Sequence, residues 1–144
     1  MNTRNLARIS FPSRSANEAF ARGALSAFLS QADPTVNQLA DIKTAVSEAV
    51  TNCIVHAYPD RTGVIRMTLS LLEDGRVRIV IADSGVGIPD VEKAMEPLYT
   101  TGNPDERAGL GFAVMQSFMD RVKVTSQPGR GTRVILEKQL ETRE

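Results

Sequence analysis

Two apolar segments joined by three turn-forming residues constrain the fold of this chain most strongly. Val64 to Leu72 and Arg76 to Ala82 are rich in β-branched residues and partly alternate between apolar and polar side chains. Glu73-Asp74-Gly75 joins them, and Asp-Gly is a strong signal for a tight hairpin turn. The sequence therefore predicts two neighbouring antiparallel strands.

A strand and a helix are predicted before this pair. Leu6 to Phe11 alternates in the manner of a half-buried strand, which Pro12 ends. Ser15 and Glu18 have the spacing of a capping box, in which a hydroxyl and a carboxylate each satisfy a free N–H group at a helix start. A first amphipathic helix is expected from there to about Ser30.

A second, longer helix is predicted to follow. Asp33-Pro34 is typical of an N-cap followed by proline in the first helical position. Apolar residues then recur with helical period to about Ala57, where Tyr58-Pro59 stops the pattern because proline disfavours helical geometry in the residue before it.

A long connection separates the hairpin from the remaining elements. Asp83 to Gly109 contains four glycines and three prolines, which predicts a functional loop with one short helix near Val91 to Glu96. A helix from Leu110 to Met119 and strands at Val122 to Ser126 and Thr132 to Glu137 complete the chain. This order predicts one domain, residues 1–144, with an α+β fold: a two-layer sandwich whose mostly antiparallel sheet carries its helices on one face.

Composition excludes several classes of function. The chain has 144 residues, 17 basic and 17 acidic side chains and a pI near 6.6, which disfavours a protein that binds DNA through its phosphates. The single cysteine, Cys53, excludes an internal disulfide and a multi-cysteine zinc site. We find neither a signal-peptide pattern nor an apolar run long enough for a membrane helix, so a cytoplasmic protein without membrane contact is expected.

Three polar residues at four-residue steps lie along the second predicted helix. With 100 degrees per residue, Glu48, Asn52 and His56 line one edge of the apolar stripe. A carboxylate and an amide one turn apart can present oxygens to hydrated Mg²⁺, and the carboxylate can also deprotonate a nucleophile. A solvated helix flank has the same spacing, and His56 alone is typical of a helix end or a packing contact.

Two glycine-containing motifs flank the long connection. Asp83-Ser84-Gly85-Val86-Gly87 directly follows a predicted strand, where glycines allow close approach to a flat ligand and a carboxylate can accept from an amine. Gly109-Leu110-Gly111-Phe112 opens a helix, a favourable place for phosphate. Each motif alone also fits an ordinary turn, but their order after Glu-x-x-x-Asn is much more specific.

With these motifs the sequence resembles the GHKL superfamily of ATP-binding domains. Glu48 to Tyr58 resembles its N box, Asp83 to Gly87 its G1 box and Gly109 to Gly111 its G2 box. Within the superfamily the chain is most similar to the anti-sigma factor serine kinases, in particular the anti-sigma F factors of spore-forming bacteria. The similarity extends over nearly the whole chain.

The resemblance implies a role for each of these residues. Asp83 would accept from the adenine amino group, Gly87 would let the base lie against the backbone, and Thr132 would support Asp83 or the base. Asn52 would bind Mg²⁺, and Glu48 would be the general base for a substrate serine. The remaining contacts expected with ATP or ADP are His56, Gly85, Gly109, Leu110, Gly111 and Phe112.

The resemblance also predicts a lid over the phosphates and a surface for partners. Thr100, Thr101 and Arg107 would belong to the lid, and Arg107 would stabilise charge on the γ-phosphate. Gly102-Asn103 stands where close relatives carry a lysine, which leaves Arg107 as the main cationic candidate. Arg22 would meet the sigma factor and the anti-anti-sigma protein, although its position also fits a solvated helix charge.

The implied function is a dimeric anti-sigma factor that holds a sigma factor of the sigma F type and phosphorylates its anti-anti-sigma antagonist on serine. A member of the same family with a stress-response sigma factor is one alternative. A sigma-binding module that uses ATP without chemistry is another. A two-component histidine kinase would need a phosphoacceptor histidine, whereas the one histidine here, His56, lies in the N box.

Overall fold

The computed structural model of the chain describes residues 2–96 and 108–141. Within these ranges it contains five strands: β1 Thr3–Pro12, β2 Val64–Leu72, β3 Arg76–Asp83, β4 Arg121–Gln127 and β5 Gly131–Gln139. It also contains four α-helices: α1 Asn17–Leu29, α2 Val36–Asn52, α3 Val91–Ala94 and α4 Ala108–Phe118. A short 3₁₀ turn, Ser30–Ala32, follows α1, and a π turn, Cys53–Ala57, continues α2.

The strands form one antiparallel sheet in the order β1-β2-β3-β5-β4. The predicted hairpin is confirmed: Ile65 pairs with Asp83 at one end of β2–β3 and Leu71 pairs with Val77 at the other. Gly75 turns between them with φ of 84°, which glycine adopts without steric cost. Placing β5 beside β3 brings the end of the hairpin next to the start of the last strand.

The helices cover one face of this sheet, as predicted. Inward side chains of the strands and the apolar stripes of α1, α2 and α4 form a single core, and its largest fully buried members are Leu25, Leu29, Ile42, Ile65, Met67, Leu69, Leu71, Ile79, Ile81, Met115 and Leu136. Burial of such side chains is the main stabilising contribution, about 1.5–3 kcal/mol each. In the described part of the chain, no helix has both the length and the apolar character needed to cross a membrane.

The start of α1 differs from the prediction. Its N-cap is Ala16, which makes no side-chain cap, so the capping box of Ser15 and Glu18 is wrong. The Glu18 carboxylate pairs instead with Arg22 one turn further on, with 2.8 Å between Oε1 and Nε. It also accepts a hydrogen bond from the hydroxyl of Ser47 on α2. A charged partner and a hydroxyl from a packed helix thus replace the cap, because together they offer Glu18 stronger contacts than one backbone N–H.

This contact ties α1 to α2 and makes a pH-dependent contribution. The hydrogen bond from Ser47, followed by the Arg22 contacts, lowers the pKa of Glu18 below its usual value. A lowered pKa in the folded chain means that this stabilisation is present above the unfolded pKa of the carboxyl group. It is lost as the pH falls through the folded pKa.

Replacing Ser47 with alanine should therefore raise the pKa of Glu18 toward its ordinary value. NMR titration of the glutamate side chains measures this shift directly. The same titration of Thr44→Ala, which removes a hydroxyl bonded to the carbonyl of Ala40, is the matched control. An unchanged Glu18 titration in Ser47→Ala would contradict the assignment.

The start of α2 is also corrected. The N-cap is Thr35 and not Asp33: the Thr35 hydroxyl accepts from the Gln38 N–H at 3.0 Å, and Gln38 Oε1 accepts from the Thr35 N–H at 3.2 Å. Asp33 ends the preceding 3₁₀ turn with a positive φ of 46°. The reciprocal cap satisfies two N–H groups, whereas an aspartate in that position would satisfy one.

Candidate functional site

A cavity of about 320 Å³ lies between the end of α2, the end of β3 and the first turns of α4. Most of its lining is apolar, and the polar side chains that reach it include Asn52, His56, Asp83 and Thr132. The other lining residues are Ala49, Cys53, Ala57, Val86, Gly87, Ile88, Pro89, Ala94, Phe112 and Val134. A mostly apolar cavity with a few convergent polar groups is the usual form of a small-molecule site.

Asp83 is a buried polar group of this cavity that several hydrogen bonds hold in place. It is the last residue of β3 and is 6% exposed. Its Oδ1 accepts from the backbone N–H of Gly85 at 2.9 Å and from that of Thr132 at 3.2 Å. Its Oδ2 lies 3.4 Å from Cys53 Sγ. Oδ1 is therefore held by the protein, while Oδ2 keeps acceptor capacity for a donor in the cavity.

Cys53 is a member of this site that the sequence did not predict as one. Burial, followed by the charge of Asp83, raises the pKa of the thiol well above its ordinary value. The thiol accordingly stays protonated and donates to Asp83 Oδ2. The sequence pattern placed Cys53 on the apolar stripe of the second helix and so in the core. The side chain does pack there as well. The available signal was its position directly after Asn52.

The loop after Asp83 is fixed at both ends. The Val86 N–H donates to the carbonyl of Ala57 at 3.0 Å, and the Val86 carbonyl accepts from the Gly129 N–H at 2.7 Å. A Cβ at Gly85 would overlap with the Ala57 carbonyl, and Gly87 has φ of 79°. Both predicted glycines are thus required by close backbone approach and by a left-handed conformation.

The π turn supplies one of these contacts. The second helix was predicted to continue as a regular helix to about Ala57. The chain stays helical to Ala57, but from Cys53 onward it forms the wider π turn. The wider turn carries Cys53 to Asp83 and the Ala57 carbonyl to Val86. Single π turns inside helices are rare and frequently occur at functional sites.

Glu48 and Asn52 converge on the first turns of α4. A Cβ built on Gly111 would lie 3.2 Å from Asn52 Nδ2, 3.3 Å from Asn52 Oδ1 and 3.4 Å from Glu48 Oε2. Asn52 Nδ2 is buried and has no hydrogen-bond partner in the described part of the chain. A buried amide without a partner costs about 1–3 kcal/mol, so a polar ligand beside it would restore a lost interaction.

These donors fit a magnesium–phosphate group. An amide oxygen and a carboxylate are hard ligands, and Mg²⁺ is commonly bound by one or two such groups together with substrate phosphates. Among the described residues, no three or more His, Cys, Asp or Glu side chains are grouped so that they could hold a metal ion. The glycine at 111 leaves the space that the phosphates would need.

Filling that space provides a direct test. We expect Gly111→Ala to weaken ATP binding about tenfold, because its methyl group would crowd the Asn52 amide and take up space beside Glu48 at the phosphate end. The matched control is Gly23→Ala in α1, where an added Cβ meets no atom within 4 Å. Calorimetric titration with ATP, combined with thermal unfolding of both variants, separates lost binding from lost stability. Equal ATP affinity in both variants would contradict this placement of the phosphates.

A second pocket lies between α1 and α2, and Glu48 lines it. It measures about 320 Å³, and its lining residues are Arg22, Ala40, Lys43, Thr44, Ser47 and Glu48. Arg22 reaches it from α1, held by Glu18. Glu48 thus lies between this pocket and the group formed by Asn52 and Gly111. The predicted partner residue and the predicted general base share one pocket.

The other predicted site residues divide into two groups. Gly109, Leu110, Gly111 and Phe112 occupy the start of α4, as predicted, and Phe112 closes the cavity at 4% exposure. Thr132 supports Asp83 through its backbone N–H, while its hydroxyl pairs with that of Ser126 at 2.8 Å. The predicted lid residues Thr100, Thr101 and Arg107 lie outside the described residues.

Comparison with known proteins identifies relatives of this arrangement. Residues 11–138 match the family described as histidine kinase-like ATPase domain. The chain is 52% identical to the anti-sigma F factor of Caldanaerobacter subterraneus subsp. tengcongensis, with 97% of each chain covered. It is 51% identical to the anti-sigma F factor of Clostridium beijerinckii, over 94% of this chain and 95% of that protein.

Solved structures support the fold at lower identity. The RsbU and RsbW domains of Rv1364c from Mycobacterium tuberculosis give a TM-score of 0.70 at 22% identity, over 94% of this chain and 32% of that one. The present chain thus spans about a third of that protein. The histidine kinase domain from Erythrobacter litoralis EL346 gives a TM-score of 0.58 at 24% identity, over 85% of this chain and 60% of that one. These two likenesses establish the architecture of the domain.

Proposed function

Because this chain belongs to the histidine kinase-like ATPase domains and, among them, to the anti-sigma F factors, we propose that it inhibits a sigma factor by binding it. We further propose that it is an ATP-dependent serine kinase that phosphorylates, and thereby inactivates, the anti-anti-sigma antagonist. The cognate factor would be of the sigma F type and the role sporulation. We also propose that the protein acts in the cytoplasm as a homodimer.

The observation that carries the kinase proposal is the position of Glu48, which lines the pocket of Arg22 and lies next to Asn52 and Gly111. On one side are Asn52 and Gly111 at the start of α4. On the other is the pocket that Arg22 enters from α1. A general base for phosphoryl transfer must reach the substrate hydroxyl while the phosphate is held beside it. A carboxylate that lines the partner pocket and lies next to Asn52 and Gly111 meets both requirements.

The nucleotide would bind with its base against Asp83 and its phosphates toward α4. Asp83 Oδ2 would accept from the adenine amino group, while Oδ1 remains held by two backbone N–H groups. The first-turn N–H groups of α4 favour negative charge. Asn52 would hold Mg²⁺, which supplies neutralisation of phosphate charge when bound. Glu48 would accept the proton of the substrate serine.

Dimerisation would use the first strand and the first helix. β1 is an edge strand of the sheet. Leu6 on β1 is 38% exposed and Phe20 on α1 is 52% exposed, and both are large apolar side chains. An open edge with apolar side chains near it is a natural place for a second copy to pair.

The decisive experiment is incubation of the protein with labelled Mg-ATP and a candidate anti-anti-sigma protein, followed by localisation of the label. We expect the label on a serine of that substrate. Release of free phosphate alone would indicate an ATPase. Sigma-factor binding without any turnover would indicate the binding module, and capture of a stress-response sigma factor would indicate the related alternative.

A further inference from the structure

The sheet face opposite the helices, called here the open face, carries an unusual distribution of charge. The registers align its outward-pointing side chains in cross-strand rows. Three adjacent rows contain six cationic side chains and a single carboxylate. Because the whole chain has a formal net charge of zero, the remainder of the molecule is net acidic. The open face is therefore a concentrated basic surface on a neutral protein.

The one carboxylate in these rows is already used within the row that contains it. Glu137 is 5% exposed, and its Oε2 lies 2.6 Å from Arg78 Nε. Its Oε1 lies 3.7 Å from an Arg121 Nη atom. Two guanidinium groups thus hold this buried carboxylate in place at one edge of the open face. It leaves no acidic group in the three rows for the other four cations.

These four cations surround an apolar strip. Along one row, Arg66 and Arg133 stand on either side of Ala82. The next row runs from Arg8 on β1 to Lys123 on β4. Strands lie about 4.8 Å apart, so positions two strands apart are about 10 Å from each other. All four of these cationic side chains are exposed, and none takes part in an ion pair within the described residues.

Between Arg8 and Lys123 the second row places Val80 beside Ile135. Together with Ala82 in the neighbouring row they form a half-buried apolar strip at the centre of the face. An apolar centre with a polar rim is the usual form of a protein–protein interface, and arginine is enriched in such interfaces. The charges of this rim select for carboxylates on the partner, and steer it during approach.

We infer that the open face is a second interaction surface, which binds an acidic protein segment whose apolar side chains meet the Val80–Ile135 strip while its carboxylates meet Arg66, Arg133, Arg8 and Lys123. This surface is separate from the nucleotide cavity, which lies on the helical side of the sheet. A partner there could be held while the nucleotide cavity and the pocket that Arg22 and Glu48 line are both occupied.

Two other classes of ligand fit the surface less well. The three rows contain no aromatic side chain on which the bases of a single strand could stack, and the face is a sheet without a projecting helix for the major groove. Attachment to an anionic membrane usually involves projecting apolar or aromatic side chains, whereas Val80 and Ile135 are half-buried. An acidic protein segment satisfies both the charges and the flat apolar centre.

The test uses the full chain and a labelled amphipathic peptide with leucines at helical spacing and glutamates elsewhere. We expect binding by fluorescence anisotropy, with backbone amide NMR shifts concentrated on the strand residues of the three rows, from β1 to β4. Arg133→Glu combined with Lys123→Glu should weaken this binding about tenfold or more, because two attractive contacts become repulsive. The matched control, Arg14→Glu combined with Lys93→Glu, makes the same charge change at exposed positions outside the three rows and should bind within about twofold of the original.

Several results would overturn the inference. One is an equal loss of binding in both double variants. Another is peptide-induced NMR shifts of amides on the helical side of the sheet. Tighter binding of duplex DNA or of phosphatidylglycerol vesicles than of the peptide, lost in Arg133→Glu/Lys123→Glu, would assign the face to another class of ligand. A change in the oligomeric state of that variant without peptide would assign it to a second copy. Unchanged thermal unfolding and ATP binding in both variants ensure that the comparison concerns the surface alone.

Discussion

Nucleotide binding should be abolished in Asp83→Asn, with an expected increase in Kd of at least about 100-fold. The asparagine keeps the shape of Asp83 but replaces one acceptor oxygen with an NH₂ donor. If that NH₂ takes the place of Oδ1, it faces the two N–H donors of Gly85 and Thr132. If it takes the place of Oδ2, it faces both the Cys53 thiol and the amine of the ligand. Either orientation sets donors against donors and removes the charge, at about 1–3 kcal/mol for each unsatisfied group.

Calorimetric titration with ADP and ATP measures this effect. Asp60→Asn, in the exposed turn after the π turn, makes the same chemical change away from the cavity and should leave both affinities unchanged. A near-original affinity of Asp83→Asn for ATP would refute the assignment of the base-binding group. Thermal unfolding without nucleotide distinguishes this outcome from a general loss of stability.

Phosphoryl transfer should fall by about 10²–10⁴-fold in Glu48→Gln while ATP affinity stays within about threefold of the original. Glutamine preserves the size of the side chain next to Asn52 and Gly111 but cannot accept the proton of a substrate hydroxyl. The split between a lost rate and a retained affinity is the signature of a group that acts mainly in the transition state.

This comparison needs both measurements on the same protein. Single-turnover transfer to the anti-anti-sigma substrate gives the rate, and calorimetry with a nonhydrolysable ATP analogue gives the affinity. Asp41→Asn, on the same helix two turns earlier, is the matched control and should retain the rate. Full phosphoryl transfer by Glu48→Gln would exclude Glu48 as the general base. If the unmodified protein binds the sigma factor but transfers no phosphate, the binding module would be favoured.

Local sequence signals predicted the elements of this fold, but not every contact at their ends. The β2–β3 hairpin follows from Asp-Gly between two apolar runs, a signal contained within a few residues. The cap of α1 was wrong because Glu18 is bound by Ser47, 29 positions away, which a local pattern cannot reveal. At α2 two capping patterns overlap, and the reciprocal pair of Thr35 and Gln38 replaces the cap expected from Asp33.

The site required long-range structure in addition to sequence. Helical spacing placed Glu48 and Asn52 on one line, but only the packing of α4 brings Gly111 against both. Thr132 could be connected with Asp83 by family resemblance alone, since the contact depends on β5 pairing with β3 across a long connection. Cys53 was assigned to the apolar stripe because spacing does not distinguish a packing thiol from one that donates to a carboxylate.

The basic surface was hidden from composition for a related reason. Equal numbers of acidic and basic side chains gave a net charge of zero and no indication of segregation. Arg66 and Arg133 are far apart in the chain, and only the registers of β2, β3 and β5 bring them into one row, on either side of Ala82. A prediction of this surface requires those registers, which the sequence alone does not specify.

The position of Glu48 has a thermodynamic consequence. Phosphates beside Asn52 and Gly111 and a protein in the pocket that Arg22 lines would each respond to the state of the same carboxylate, so their binding free energies would be coupled. Linkage requires this coupling to be reciprocal. By whatever factor ATP in place of ADP alters the affinity for the partner, the partner must alter the preference for ATP over ADP by the same factor. Through one side chain, the bound nucleotide can thus change the affinity for the partner, and the bound partner can change the affinity for the nucleotide.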